Sequence, residues 1–180
     1  MAEDIDIDIR QLAEADWDAV VELEFAAYAA DNLSEGGESL RARGRSSPGT
    51  CFVVELRGKV IGYLLSLPYP LYACPDLGAV EPAAEPAEPL PADATPTASS
   101  PRNLHVHDLV IAEEWRSKDV ALALIRHFKA YAQMEGFERI SMVAVRRSDI
   151  LLGMLGYRRH REVAVPECYG ERAVYMSMAI

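Results

Sequence analysis

The hydrophobic pattern changes period along the chain, and each change predicts an element. "IDIDIR" near the N-terminus alternates apolar and polar positions, as a strand with one buried face does. In "AEADWDAVVELEFAAYAA" the period becomes helical. Trp17, Val20, Val21, Glu24 and Tyr28 share one stripe, and Asp16 is the predicted N-cap. "DNLSEGGESLRARGRSSPG" reads as loop, with a short helix around Ser39–Arg43. "TCFVVEL" and "VIGYLLSLPY" read as two strands joined at Arg57–Lys59 in a hairpin. "NLHVHDLVI" is a strand. "SKDVALALIRHFKAYAQMEG" is an amphipathic helix with Val120, Leu124, Phe128 and Tyr131 on one stripe, ending at Gly136. "FERISMVAV" is a buried strand, and "SDILLGMLGY" is a short helix with Ser148 as N-cap. "RRHREVAVPE" and "RAVYMSMAI" are two closing strands. The predicted order is β-α-(α)-β-β-β-α-β-α-β-β, without an internal repeat.

Residues 74–101 interrupt this pattern. They hold seven of the eleven prolines, five acidic residues and no lysine or arginine. Proline removes backbone donors, and such a composition cannot build a core. The segment is expected to be an acidic insertion between strands of one domain that spans residues 1–180.

Composition narrows the function. At 180 residues the chain can bury a core of its own, and no apolar run approaches the roughly 20 residues that cross a bilayer. The acidic start "MAEDIDIDIR" is unlike a secretory signal, so a cytoplasmic location is expected. A net charge of −10 argues against nucleic acid as a partner, because phosphate backbones demand a basic face. Cys51, Cys74 and Cys168 have no metal or disulfide spacing and read as reduced thiols, so no metal is expected.

The order of elements, with the strand–loop–helix "LVIAEEWRSKDVALALIRHF" at its centre, resembles the GNAT superfamily, the Gcn5-related N-acetyltransferases. The resemblance runs over essentially the whole chain and is strongest from Leu104 to Tyr157. It implies an α/β (α+β) single domain with a mixed, mostly antiparallel sheet flanked by helices. It also implies transfer of an acetyl or other acyl group from acetyl-CoA, or another acyl-CoA, to an amine. Leu109, Val110 and Ile111 match the strand that holds the pantetheine arm through its main chain. Arg116, Ser117, Lys118, Asp119, Val120 and Ala121 match the loop and helix start that grip the pyrophosphate, and Ser148 matches a later cofactor position. The physics of that grip is general: free amides at a helix N-terminus attract phosphate.

The match departs from the family pattern at three places. Glu113 replaces a proline, Ser117 replaces the first loop glycine and Asp119 replaces the key glycine, while Arg116 and Ala121 are kept. Two like charges about 4 Å apart repel by roughly 4 kcal/mol at an effective dielectric near 20. Asp119 must therefore point away from a diphosphate, pair with Lys118 or Arg116, or cap its own helix.

Amine acylation needs a base, and histidine suits it at neutral pH. His105 and His107, two apart on one strand, face one side of the sheet, and Asp108 faces the other unless a bulge intervenes. The resemblance puts a tyrosine acid four residues before Gly156, where this chain has Leu152. Tyr157 reads as core, and Tyr169 is the substitute candidate for the acid. Arg146–Arg147 and "RRHR" at 158–161 could hold a cofactor phosphate, and "RARGR" at 41–45 could line the acceptor side. His127 and His160 read as surface residues. Met142, Met154, Met176 and Met178 read as core or as contacts of a homodimer. The expected partner is a small-molecule or peptide amine. The alternative function is a catalytically degenerate GNAT scaffold that binds a partner or ligand.

Overall fold

The computed structural model describes residues 6–77, 102–116 and 119–180. Seven strands form one sheet in the order β1-β2-β3-β4-β5-β7-β6. They are β1 (Asp8–Gln11), β2 (Phe52–Leu56), β3 (Lys59–Pro68), β4 (Asn103–Ile111), β5 (Arg139–Ala144), β6 (Arg158–His160) and β7 (Val174–Ala179). Four helices accompany them: α1 (Trp17–Tyr28), α2 (Gly37–Ser46), α3 (Val120–Met134) and α4 (Asp149–Met154). Every neighbouring pair is antiparallel except β4 and β5. The sequence order of elements is the predicted one, and the sheet is mixed and mostly antiparallel as expected.

Each face of the sheet carries its own core. Phe52, Leu64, Leu104, Val106, Leu124, Phe128, Ile140 and Met142 pack on the α3 side. Trp17, Val20, Leu40, Val53, Tyr63 and Val110 pack on the α1 and α2 side. The two-residue turn between β2 and β3 places Arg57 at φ 52° and Gly58 at φ 81°, the left-handed pair that matches strand twist. No helix among the described residues is long and apolar enough to cross a membrane.

Several local expectations are corrected. Asp16 does not cap α1. Its carboxylate accepts from the Ala13 amide at 2.8 Å and from the Arg10 guanidinium at 2.7 and 2.9 Å, locking the turn before the helix. Ser148 precedes α4, but its hydroxyl donates to the Val145 carbonyl at 2.7 Å instead of capping the helix. The strand predicted over "RRHREVAVPE" stops at His160. The helix predicted around Ser39–Arg43 extends over Gly37–Ser46. Met142, Met176 and Met178 are buried, whereas Met154 is exposed. Residues 78–101 of the expected insertion lie outside the described residues, and so do Ser117 and Lys118.

Just before that insertion, residues 69–77 are tied down at four points. Asn103 donates to the Tyr69 carbonyl at 3.1 Å, and the Tyr72 amide donates to the Tyr175 hydroxyl at 3.0 Å. Tyr169 donates to the Pro75 carbonyl at 2.8 Å, and Arg43 to the Asp76 carbonyl at 3.2 Å. Four separate parts of the fold thus hold one short segment by its backbone.

Candidate active site

β4 and β5 begin side by side and then part. Their parallel pairing runs from Asn103↔Arg139 to Val106↔Met142 and ends there. β4 goes on pairing with β3 as far as Ile111, and β5 goes on pairing with β7 as far as Ala144. Among the described residues, the β5-facing edge of 107–111 therefore has no strand partner. A cavity of about 310 Å³ opens in the gap, with Leu109, Val110 and Ile111 on one wall and Val143 and Val145 on the other.

At one end the cavity meets the start of α3. Arg116, Ala121 and Ser148 line it, while Val120 is buried and has only its backbone to offer there. Arg116 donates through Nε to the Ile111 carbonyl at 3.0 Å. Asp119 sits at φ 57°, left-handed, the conformation glycine adopts most easily and aspartate tolerates better than most residues. Its side chain is exposed and makes no capping hydrogen bond. The backbone shape asked of a glycine is kept, and the carboxylate does not cover the first amides of the helix.

At the other end lies a cluster of buried ionisable groups, assembled by a bulge. Between Leu65↔Asp108 and Ser66↔Val106, β4 carries one residue more than β3. A bulge of this kind shifts the alternation of side chains. His107 and Asp108 are consecutive, yet both reach the α1 and α2 side. His107 Nε2 bonds to Glu35 Oε1, and Asp108 accepts from the hydroxyls of Tyr28, at 2.8 Å, and Tyr63. Asp108 was expected on the opposite face, and the bulge is the physical reason that it is not.

The His107 side chain is fully buried, and the residue borders the cavity. Glu35 in turn receives Arg43 on its second oxygen at 3.1 Å. An ionised carboxylate only accepts, so Nε2 carries a hydrogen toward Glu35; in the neutral form of the ring that leaves Nδ1 with a lone pair, and in the charged form both nitrogens donate. Nδ1 has no hydrogen-bond partner among the described residues. The Asp108 carboxyl is pushed up to about 6 by burial, against the opposing pull of Tyr63, His107 and Tyr28. Glu24 also lines the cavity, its oxygens held at 2.7 Å by the Ser34 hydroxyl and the Glu35 amide.

The other two candidates for the chemistry are placed differently. His105 is not among the cavity-lining residues. It bonds to Ser141 at 2.9 Å and stacks with Tyr175 at a centroid distance of 6.1 Å. Burial pushes its imidazole down to about 3, and the charges of His107 and Arg43 add to the effect. Tyr169 lines the cavity, but its hydroxyl is engaged by Pro75, and burial pushes its phenol up. Arg146 lines the cavity while paired with Asp31. Glu24, Glu35, Arg43, Tyr28 and Tyr63 carry the site alongside the expected residues. Of these, Arg43 lies in "RARGR" at 41–45, expected on the acceptor side, and Glu24 and Tyr28 lie on the predicted helical stripe, while Glu35 and Tyr63 gave no signal.

His105 and Asp108 pull stability in opposite directions with pH. The unfolded chain protonates a histidine near 6.5, but folded His105 stays neutral down to about 3, so its contribution is lost as pH falls below 6.5. Folded Asp108 takes a proton near 6 and the unfolded one near 3.8, so its burial costs more as pH rises through that window. Urea unfolding of His105→Gln between pH 7 and 4 is expected to lose stability less steeply than the wild type. Parallel curves would mean that His105 titrates as a free imidazole.

The sequence profile of the acetyltransferase (GNAT) family matches residues 17–150. The chain belongs to that family. No curated protein matches it. Among solved structures it is similar to the ribosomal-protein-S18-alanine N-acetyltransferase from Escherichia coli, at 13% identity and TM-score 0.65, covering 97% of this chain and 94% of that one. A GNAT family acetyltransferase from Brucella melitensis in complex with acetyl-CoA aligns at 15% identity and TM-score 0.59, covering 98% and 89%. A GNAT-like decarboxylase, GphF, in complex with isobutyryl-CoA aligns at 19% identity and TM-score 0.66, covering 96% and 98%. At these identities the likeness is one of fold. Within this GNAT chain, Leu152 is buried against the cavity where the family resemblance asks for a tyrosine acid, and Tyr157 is core.

Proposed function

We propose that this GNAT chain transfers an acyl group from acyl-CoA to an amine by direct attack, with His107 as the base. The observation that carries the reading is the buried Nδ1 of His107, turned into an acceptor by Glu35 on the other side of the ring. The attacking amine bonds to the thioester carbon, and its proton goes to Nδ1. The carbon–sulfur bond breaks, and the thiolate leaves as an anion that water protonates, because Leu152 offers no proton. His105 supports the strand from behind through Ser141 and Tyr175 and does not act as the base, and Tyr169 positions Pro75. The backbone N–H groups flanking Val110, those of Leu109 and Ile111, fall on the strand edge that β5 leaves unpaired and are suited to stabilise the oxyanion.

Support for acyl-CoA comes from family membership, from the parted strands, and from the uncapped start of α3. Arg116, Ala121 and Ser148 line the cavity at that end and fit a phosphate-bearing ligand, with Val120 contributing its amide. Ser117 and Lys118 are proposed to complete the loop. Asp119 remains a like charge beside a diphosphate, moderated by its exposure. Calorimetric titration with acetyl-CoA is expected to give micromolar binding, and Asp119→Gly to tighten it several-fold. Absence of binding at millimolar acetyl-CoA would sink the proposal and leave a GNAT scaffold that binds some other partner.

A further inference from the structure

We infer that the acceptor is a small primary amine with an apolar body and no carboxylate, held beside His107 between Tyr28, Leu33 and Leu77. The inference rests on the acyl-transfer reading for the chemistry, and on the cavity alone for the ligand.

Polar capacity at this end is almost fully used by the protein itself. Six carboxylate oxygens belong to Glu24, Glu35 and Asp108, and each already receives a protein donor. The cations lining the cavity among the described residues are Arg116 and Arg146. The first is turned to the Ile111 carbonyl at the α3 end, and the second is paired with Asp31 over the Tyr28 ring. At this end, among the described residues, a substrate carboxylate would face three acidic groups and no lining arginine or lysine other than the Asp31-paired Arg146. Burying a charge without a partner is costly. Of the buried side-chain polar atoms without a hydrogen-bond partner among the described residues, the one on a cavity-lining residue is His107 Nδ1, which in the neutral ring suits one amine hydrogen. The surrounding wall is apolar, with Ala27, Leu33, Leu77 and Val110.

Size and rigidity point the same way. A volume of about 310 Å³ stands at the low end of ligand pockets, and part of it must take the thioester. Residues 69–77 bring Leu77 to the cavity and are fixed by five hydrogen bonds at four points, so this wall is not readily displaced to admit a longer chain.

The test compares 2-phenylethylamine with phenylalanine, which adds only the carboxylate to the same body, and with a phenylalanine-initiated tetrapeptide. The full chain is used, with thiol release from acetyl-CoA as one readout and calorimetric amine binding without acetyl-CoA as the other. 2-Phenylethylamine is expected to exceed both others at least 100-fold in kcat/KM and to bind measurably alone. Leu77→Arg, which adds an unpaired cation to the wall, is expected to move the phenylalanine-to-phenylethylamine ratio at least 10-fold toward phenylalanine. Equal or better use of phenylalanine or the peptide would overturn the inference. So would acetyl-CoA binding without any binding or turnover of 2-phenylethylamine. If 2-phenylethylamine binds selectively while acetyl-CoA does not bind, the acyl-transfer reading falls and the ligand assignment stands.

Discussion

His107→Ala lowers kcat/KM for acyl transfer about 10²- to 10⁴-fold, the usual contribution of a positioned base, while acetyl-CoA affinity stays within a few-fold of wild type. The reasoning is geometric. The ring is buried, its Nε2 is held by Glu35, its Nδ1 has no hydrogen-bond partner among the described residues, and the residue borders the cavity. Removing the ring also leaves Glu35 with less compensation, so some loss of stability accompanies the loss of rate. Glu35→Gln separates the two effects. The glutamine keeps a side chain of the same length but can no longer anchor the imidazolium that forms during the reaction, so kcat falls more than KM rises. Wild-type turnover from His107→Ala at neutral pH, with the protein folded, would remove His107 from the chemistry.

Arg43→Met destabilises the fold by about 3–5 kcal/mol, the range found when one partner of a buried ion pair is deleted. Arg43 is 1% exposed, and Glu35 beside it is nearly as buried. Methionine fills much of the space but leaves the Glu35 carboxylate without the Arg43 guanidinium that donates to it. The same change frees the Asp76 carbonyl and so loosens residues 69–77. Urea unfolding measures the loss directly. The double variant Arg43→Met/Glu35→Gln should recover a large part of it, because a neutral amide costs far less to bury than a lone carboxylate. A loss below 1 kcal/mol for the single variant would mean that the pair is open to water in solution.

Much of the fold was legible because it rests on periodicity. The stripe of Trp17, Val20 and Glu24 is buried as its spacing required, and the hairpin at Arg57–Gly58 turns where a left-handed glycine was available. The site was less legible, for a physical reason. Its charged members meet through distances in sequence that no local pattern reports: 72 residues separate His107 from Glu35, and 80 separate Tyr28 from Asp108. Glu35 lies in a segment with no hydrophobic rhythm, so only its burial marks it. The bulge in β4 has no glycine to announce it, so the sequence could name a bulge as the exception that would turn Asp108 but could not place one. Asp16 and Ser148 had the right residue type for caps, and each found a stronger partner nearby.

The extra residue in β4 also limits how this arrangement can be transplanted. On a regular strand an imidazole and a carboxylate at adjacent positions project to opposite sides, so grafting "HD" onto an unbroken ladder would deliver one group to the pocket and bury the other in the opposite layer. Deleting His107, the extra residue, would let Val106 and Asp108 alternate as on a regular strand and keep the Leu109–Ile111 wall on its present side, and it would take the imidazole away with it. Whoever rebuilds this centre in another scaffold must copy the irregularity along with the side chains.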